Sequence, residues 1–203
     1  MSRKVKILLG IFIPIIVIGA GVGGLFLTVN WPAVWSSTPP VMAIPIENTD
    51  VVDIIWGYGD HSGDFHNGID YGCNTSVNVI AWCKLLVKGI RTWFNEKGGH
   101  WQTSVNFQYN WKYTFDVAFE SWALNETYAN LQRDVIPLKF GQIIEQGEVL
   151  GQLLYHGSGT HIHFGMKESG NNVCAYEFYS IAAKATFQDL WSRCGFGDSS
   201  WYV

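Results

Sequence analysis

Charge is scarce in this chain, and basic charge is scarcer still. Charged residues make up 15% of the 203, and three of the 13 Lys and Arg (Arg3, Lys4 and Lys6) fall within the first six positions. The residues after them carry ten bases against 17 acids, a formal charge of −7. That balance excludes the basic surface on which nucleic-acid or polybasic lipid binding depends, so no nucleic-acid partner is expected. The four cysteines form no CxxC pair, which argues against a structural zinc knot. Between about residues 51 and 166 no apolar pattern keeps a helical period for three turns, which excludes a helical bundle. No internal repeat is present, and no low-complexity tract lies beyond the glycine-rich end of residues 7–29.

What is present divides unevenly along the chain. Residues 7–29, "ILLGIFIPIIVIGAGVGGLFLTV", hold no charged side chain, and none follows until Glu47. At about 1.5 Å rise per residue such a run crosses a hydrocarbon core of roughly 30 Å. With Arg3, Lys4 and Lys6 before it, the positive-inside rule keeps the N-terminus cytoplasmic and places residues 31–203 outside. A cleavable signal peptide is the competing reading. Its apolar region is shorter and ends in small residues, so an uncleaved signal-anchor over 1–30 is favoured. Either reading exports the remainder of the chain.

Export makes disulfides admissible for Cys73, Cys83, Cys174 and Cys194. Of the three pairings open to four cysteines, nearest neighbours (Cys73–Cys83 and Cys174–Cys194) are preferred. Asn74-Thr75-Ser76 and Asn125-Glu126-Thr127 are acceptor tripeptides for glycosylation. Residues 31–50 include four prolines and little charge, the composition of an extended linker. A domain over 51–203 follows. Its runs, such as "VVDIIWGYG", "SVNVIAW" and "YTFDVAFESW", are β-branched and aromatic with glycine between them, and they predict a mainly β fold. The ten Trp, nine Tyr and twelve Phe are mostly core on this reading. Residues 125–134 read as a polar insertion or short helix, and a C-terminal extension is helical around 180–193.

Two stretches carry the chemistry. In "HNGIDYG" (66–72) a period of two sets His66, Gly68 and Asp70 on one face, with Asn67, Ile69 and Tyr71 on the other. In "GTHIHFGM" (159–166) the same period sets His161, His163 and Gly165 opposite an apolar face of Ile162, Phe164 and Met166. Paired, the two strands bring three or four donors around one ion. Two imidazoles and one carboxylate, with a further imidazole beside the open position, suit catalytic zinc. A calcium or magnesium site would want more carboxylates.

Three motifs, "FHNGIDYG" (65–72), "LKFGQIIEQGEVLG" (138–151) and "GSGTHIHFGM" (157–166), follow the order found in the lysostaphin-like zinc metallopeptidases, and the chain resembles that family over about residues 54–180. The resemblance implies a compact, largely antiparallel β domain with a groove over one zinc ion. It implies His66, Asp70 and His163 as ligands and His161 as the catalytic neighbour. It also implies a peptide substrate in cell-wall or cell-surface polymer, often cut at glycine. The family's active members carry one more histidine, in a Tyr-x-His-Leu-like segment. The corresponding residues here, "DVAFESWALNE" (116–126), contain none. Glu120 and His61 are the candidate substitutes, although Glu120 reads first as a solvated strand residue. His61, His100 and His156 read first as exposed structural histidines. Some relatives of this kind keep zinc without peptidase activity, so a zinc-holding binding or regulatory domain is the alternative function.

Overall fold

The computed structural model describes residues 36–61 and 63–196. The chain divides into two units, residues 1–34 and 35–203, and the expected anchor over 1–30 lies outside the described residues. No helix among the described residues is long and apolar enough to cross a membrane.

Thirteen strands dominate the described residues of the second unit. In chain order they are β1 (Val52–Trp56), β2 (Gly59–His61), β3 (Asp64–His66), β4 (Gly68–Cys73), β5 (Val77–Ile80), β6 (Leu85–Asn95) and β7 (His100–Gln108). Then come β8 (Tyr113–Ala123), β9 (Ile143–Ile144), β10 (Val149–Leu153), β11 (His161–Glu168), β12 (Asn171–Val173) and β13 (Gly195–Phe196). One large sheet runs β13-β1-β4-β11-β8-β7-β6-β9, with β12 also on β11. All its ladders are antiparallel except β1 with β13. The mainly β, largely antiparallel expectation therefore holds. Strands β5 and β10 form a second small sheet, and β2 and β3 form a hairpin.

The period-two pattern decides which face is buried. Ile69 and Tyr71 on β4, Phe115, Val117 and Phe119 on β8, and Ile162, Phe164 and Met166 on β11 are all buried. They leave the opposite face of the same strands to polar residues. Trp82 sits at the centre of the core, edge-on to Phe107, Phe115 and Phe164, the last with ring centroids 4.6 Å apart. Such perpendicular pairs add to the burial energy of the rings. The two expected helices form, α1 over Glu126–Asp134 and α2 over Ile181–Cys194. Each starts at a side-chain cap, Asn125 accepting from Tyr128 N and Ser180 from Ala183 N. Helix α2 turns Ala183, Phe187 and Leu190 into the core, where Phe187 meets Tyr71, Tyr176 and Tyr179.

Two expectations differ from the structure. Within the stretch read as a linker, Met42, Ile44 and Ile46 are buried. Backbone bonds tie the segment down from Ala43 N to Trp82 O (2.8 Å) and from Ile80 N to Pro45 O (2.9 Å). Alternate apolar residues bury an extended segment even where the proline between them can only accept. The preferred disulfides are absent as well, and all four cysteines are free. Nearness in sequence misled here. Cys73 ends a strand of the large sheet, while Cys83 follows β5 of the small one. Cys174 lies near Lys184, a residue in the first half of helix α2, whereas Cys194 is that helix's last residue. Burial pushes the Cys73 and Cys174 thiols up to about 12, which keeps them protonated and inert.

Candidate metal centre

Strand pairing assembles the site on the polar face of the large sheet. Strand β11 lies between β4 and β8, and its register sets His163 opposite Asp70 and His161 opposite Glu120. Cross-strand partners share a face at close range. His66 ends β3, with Asn67 alone between it and the start of β4, and so reaches the same place from the hairpin.

The donor atoms converge. His163 Nδ1 lies 2.8 Å from Asp70 Oδ1, His66 Nε2 lies 3.2 Å from the same oxygen, and the two ring nitrogens are 3.2 Å apart. Zinc bonds of roughly 2.0–2.1 Å in a tetrahedral site put neighbouring ligand atoms roughly 3.3 Å apart. Two imidazoles and one carboxylate at these separations therefore fit zinc. His66 Nδ1 donates to Gly57 O at 2.6 Å, which turns Nε2 inward and fixes the tautomer, as outer-shell partners of metal-binding histidines do. The His66 ring also stacks on Trp56, with centroids 5.2 Å apart.

The glycine between the first two ligands makes room for the third. Gly68 and Gly165 are cross-strand partners. A Cβ on Gly68 would stand 2.7 Å from both Cε1 and Nε2 of His163, so the imidazole occupies space that only glycine leaves.

Charge follows the geometry. Burial works to raise the Asp70 carboxyl, but His161, His163 and His66 outweigh it and hold the group well below the usual carboxylate range. For His161, burial alone would lower the pKa, yet the Asp70 and Glu120 carboxylates raise it to about 9 in the metal-free chain. His161 Nδ1 donates to Gly159 O at 2.7 Å. Its Nε2 points between the two acids, 3.5 Å from Glu120 Oε2 and 3.7 Å from Asp70 Oδ2.

Glu120 is not the solvated strand residue expected from sequence. It is 8% exposed, and its Oε2 accepts from His100 Nε2 at 2.6 Å. His100, expected at an exposed hairpin tip, is 2% exposed. Burial would raise the Glu120 carboxyl, but bonds from His100 and His161 lower it to about 2. His156 packs its ring against Tyr128 of α1, centroids 4.6 Å apart, in a structural setting. For His61 only the backbone is placed, paired with Asp64 in the hairpin; its side chain lies outside the described residues. Sequence reasoning gave no part in the centre to His100 or Gly68. The HNG spacing alone hinted at Gly68, through its place between two ligands.

No protein-family model matches the chain, and no curated protein matches it. Among solved structures it is similar to a chain of the SpoIIIAH–SpoIIQ complex, at TM-score 0.47 and 15% identity over 68% of this chain and 99% of that one. It is similar to Helicobacter pylori Csd3 at TM-score 0.49 and 17% identity over 76% of this chain, but it spans only 43% of Csd3. The catalytic domain of the prophage-encoded protein EnpA from Enterococcus faecalis matches at TM-score 0.45 and 19% identity, over 68% of this chain and 93% of that domain. At such identities no activity carries across, and the chemistry stands on the side chains themselves.

Proposed function

We propose that this chain is a zinc-dependent endopeptidase that acts outside the membrane on peptides of the cell wall or cell surface. Residues 1–30 would tether it and residues 51–203 would do the work. The observation that carries the reading is the convergence of His66 Nε2, Asp70 Oδ1 and His163 Nδ1 within 3.2 Å of one another, with His161 Nε2 facing the same space. Zinc held there supplies Lewis acidity toward a carbonyl oxygen and a water of pKa near 7. His161, hung from Gly159 O through Nδ1, keeps Nε2 aimed at the reacting groups. A proton on that nitrogen supports the developing oxyanion or passes to the departing amine.

The test uses the full chain. One equivalent of zinc and cleavage of glycine-rich or wall-derived peptides are expected, and His161→Ala should abolish cleavage while zinc stays bound. A folded preparation without zinc would refute the reading. The histidine missing from residues 116–126 favours a second reading, a zinc-holding domain that binds wall material. Under it, peptides stay intact through long incubation while the chain is retained on that material.

A further inference from the structure

The His100–Glu120 pair lies outside the donor triad, and the sheet is distorted to build it. Between Trp101↔Ala123 and Thr103↔Phe119 the β7–β8 register shifts, so Gln102 faces three residues, Glu120, Ser121 and Trp122. Two extra residues keep the parity of the strand, so Glu120 still faces His161 while β8 is drawn toward the start of β7. Bulges of this kind re-aim side chains and cluster beside active sites. At the bulge Trp122 adopts φ 60, an uncommon conformation for a bulky side chain that persists where the surroundings force it. Those surroundings are specific. The His100 ring stacks on Trp122 with centroids 4.2 Å apart. On Gly159 a Cβ would stand 2.3 Å from the indole, so that position must be glycine. His100 itself is seated against Gly98, where a Cβ would stand 2.3 Å from Cε1.

We propose that Glu120 is the second proton-handling group of this centre and that His100 is the residue that positions its carboxylate. The inference rests on the zinc hydrolase reading above and gives the centre the acid–base partner for His161 that residues 116–126 do not supply as a histidine. Both contacts, His100 Nε2 at 2.6 Å and His161 Nε2 at 3.5 Å, fall on Oε2, so neither engages Oε1. In the step that follows, the attacking water gives a proton to Oε1 as its oxygen bonds the scissile carbonyl carbon. The proton then passes to the amide nitrogen as the C–N bond breaks, and the carboxylate is restored. His161 Nε2, 3.5 Å from Oε2, acts as the hydrogen-bond donor to the developing oxyanion. A buried hydrogen-bonded pair contributes little net stability compared with apolar packing of the same shape, so stability alone does not account for a bulge, a positive-φ tryptophan and two glycines gathered around this one.

Four variants of the full chain test this: E120Q, H100A, H100Q and H161A, each compared with wild type. Loss of one acid–base group costs about 10²–10⁴ in rate, so E120Q should lose at least 100-fold in kcat with KM and zinc content unchanged. H100A should lose 10- to 100-fold in kcat, the range typical of lost outer-shell support. H100Q keeps a donor and should recover part of that loss, which a merely structural role would not produce. A readout independent of turnover comes from the metal-free chain by proton NMR. The His100 Nε2 proton, bonded to the carboxylate, should resonate far downfield in wild type and H161A and vanish in E120Q and H100A. Wild-type kcat in a folded E120Q, or equal loss in H100Q and H100A, would overturn the inference while leaving the hydrolase reading intact. A wild-type chain that holds zinc but cleaves nothing overturns both, even where the downfield proton is seen.

Discussion

Substituting Gly68 by alanine tests whether the glycine under His163 sets the metal site. The added Cβ would meet Cε1 and Nε2 of His163 at 2.7 Å and the backbone oxygen of Phe164 at 2.9 Å. Ordinary contact begins near 3.5 Å, so the ring must retreat by about 0.8 Å or the strands must part. The strands resist, because Phe164 is fully buried on the core side and paired on both edges, to Ile69 and Val117. The ring therefore yields. Metal–ligand distances tolerate about 0.2 Å, so a shift of about 0.8 Å takes Nδ1 out of bonding range. Zinc affinity should fall at least 10- to 100-fold, measured by competition with a chromogenic chelator, while overpacking costs the metal-free fold about 1–3 kcal/mol in urea. Gly165→Ala is the control. Its Cβ would meet Asp116 O at 3.0 Å but His163 Nε2 only at 3.6 Å, so it strains the sheet and spares the ligand. A folded G68A that holds zinc as tightly as wild type would refute the reasoning.

Two further outcomes follow from the charges and thiols. In the metal-free chain His161 is raised from 6.5 to about 9, so the stability it lends is full below pH 6.5 and is lost as pH climbs through 9. That loss is roughly 3 kcal/mol at most. Glu120 is lowered from 4.5 to about 2, so its contribution is present above pH 4.5 and is lost as pH falls toward 2. Urea midpoints taken across pH should therefore be highest between the two limbs, and a midpoint flat from pH 6.5 to 9 would count against the His161 environment. All four cysteines are free, so a thiol reductant should leave the Tm unchanged; a drop would reveal a disulfide.

The half of the site that rests on local period was legible in the sequence. Alternation in residues 66–72 and 159–166 set Asp70 and the imidazoles opposite Ile69, Tyr71, Ile162, Phe164 and Met166, and those five are buried. The half that rests on long-range register was not. Glu120 meets His161 only because β8 pairs with β11, 41 positions away, and nothing within "DVAFESWALNE" reports that partner. His100 lies beside a turn, as "EKGGHWQT" indicates, yet the bulge in β8 brings a carboxylate to it and buries both. The Met42–Ile46 segment fails for a related reason. Its prolines signal an extended chain, and an extended chain is equally what a docked edge segment requires.

The core side of β11 governs the chemistry on its other side. Strand side chains alternate, so a slip of one residue would turn His161 and His163 into the core and Ile162 and Phe164 toward the ligands. What opposes the slip is packing. Phe164 lies edge-on to Trp82 at 4.6 Å and stacks with Phe115 at 5.9 Å, and Ile162 is fully buried beside it. Exchanging either for a histidine-sized polar group would cost several kcal/mol. The same ladder also fixes both neighbours of β11, since Asp70 and Glu120 face His163 and His161 only in this register. The placement of donor triad and proton-handling pair is thus one property of the sheet, and Trp82, which touches neither, supports both.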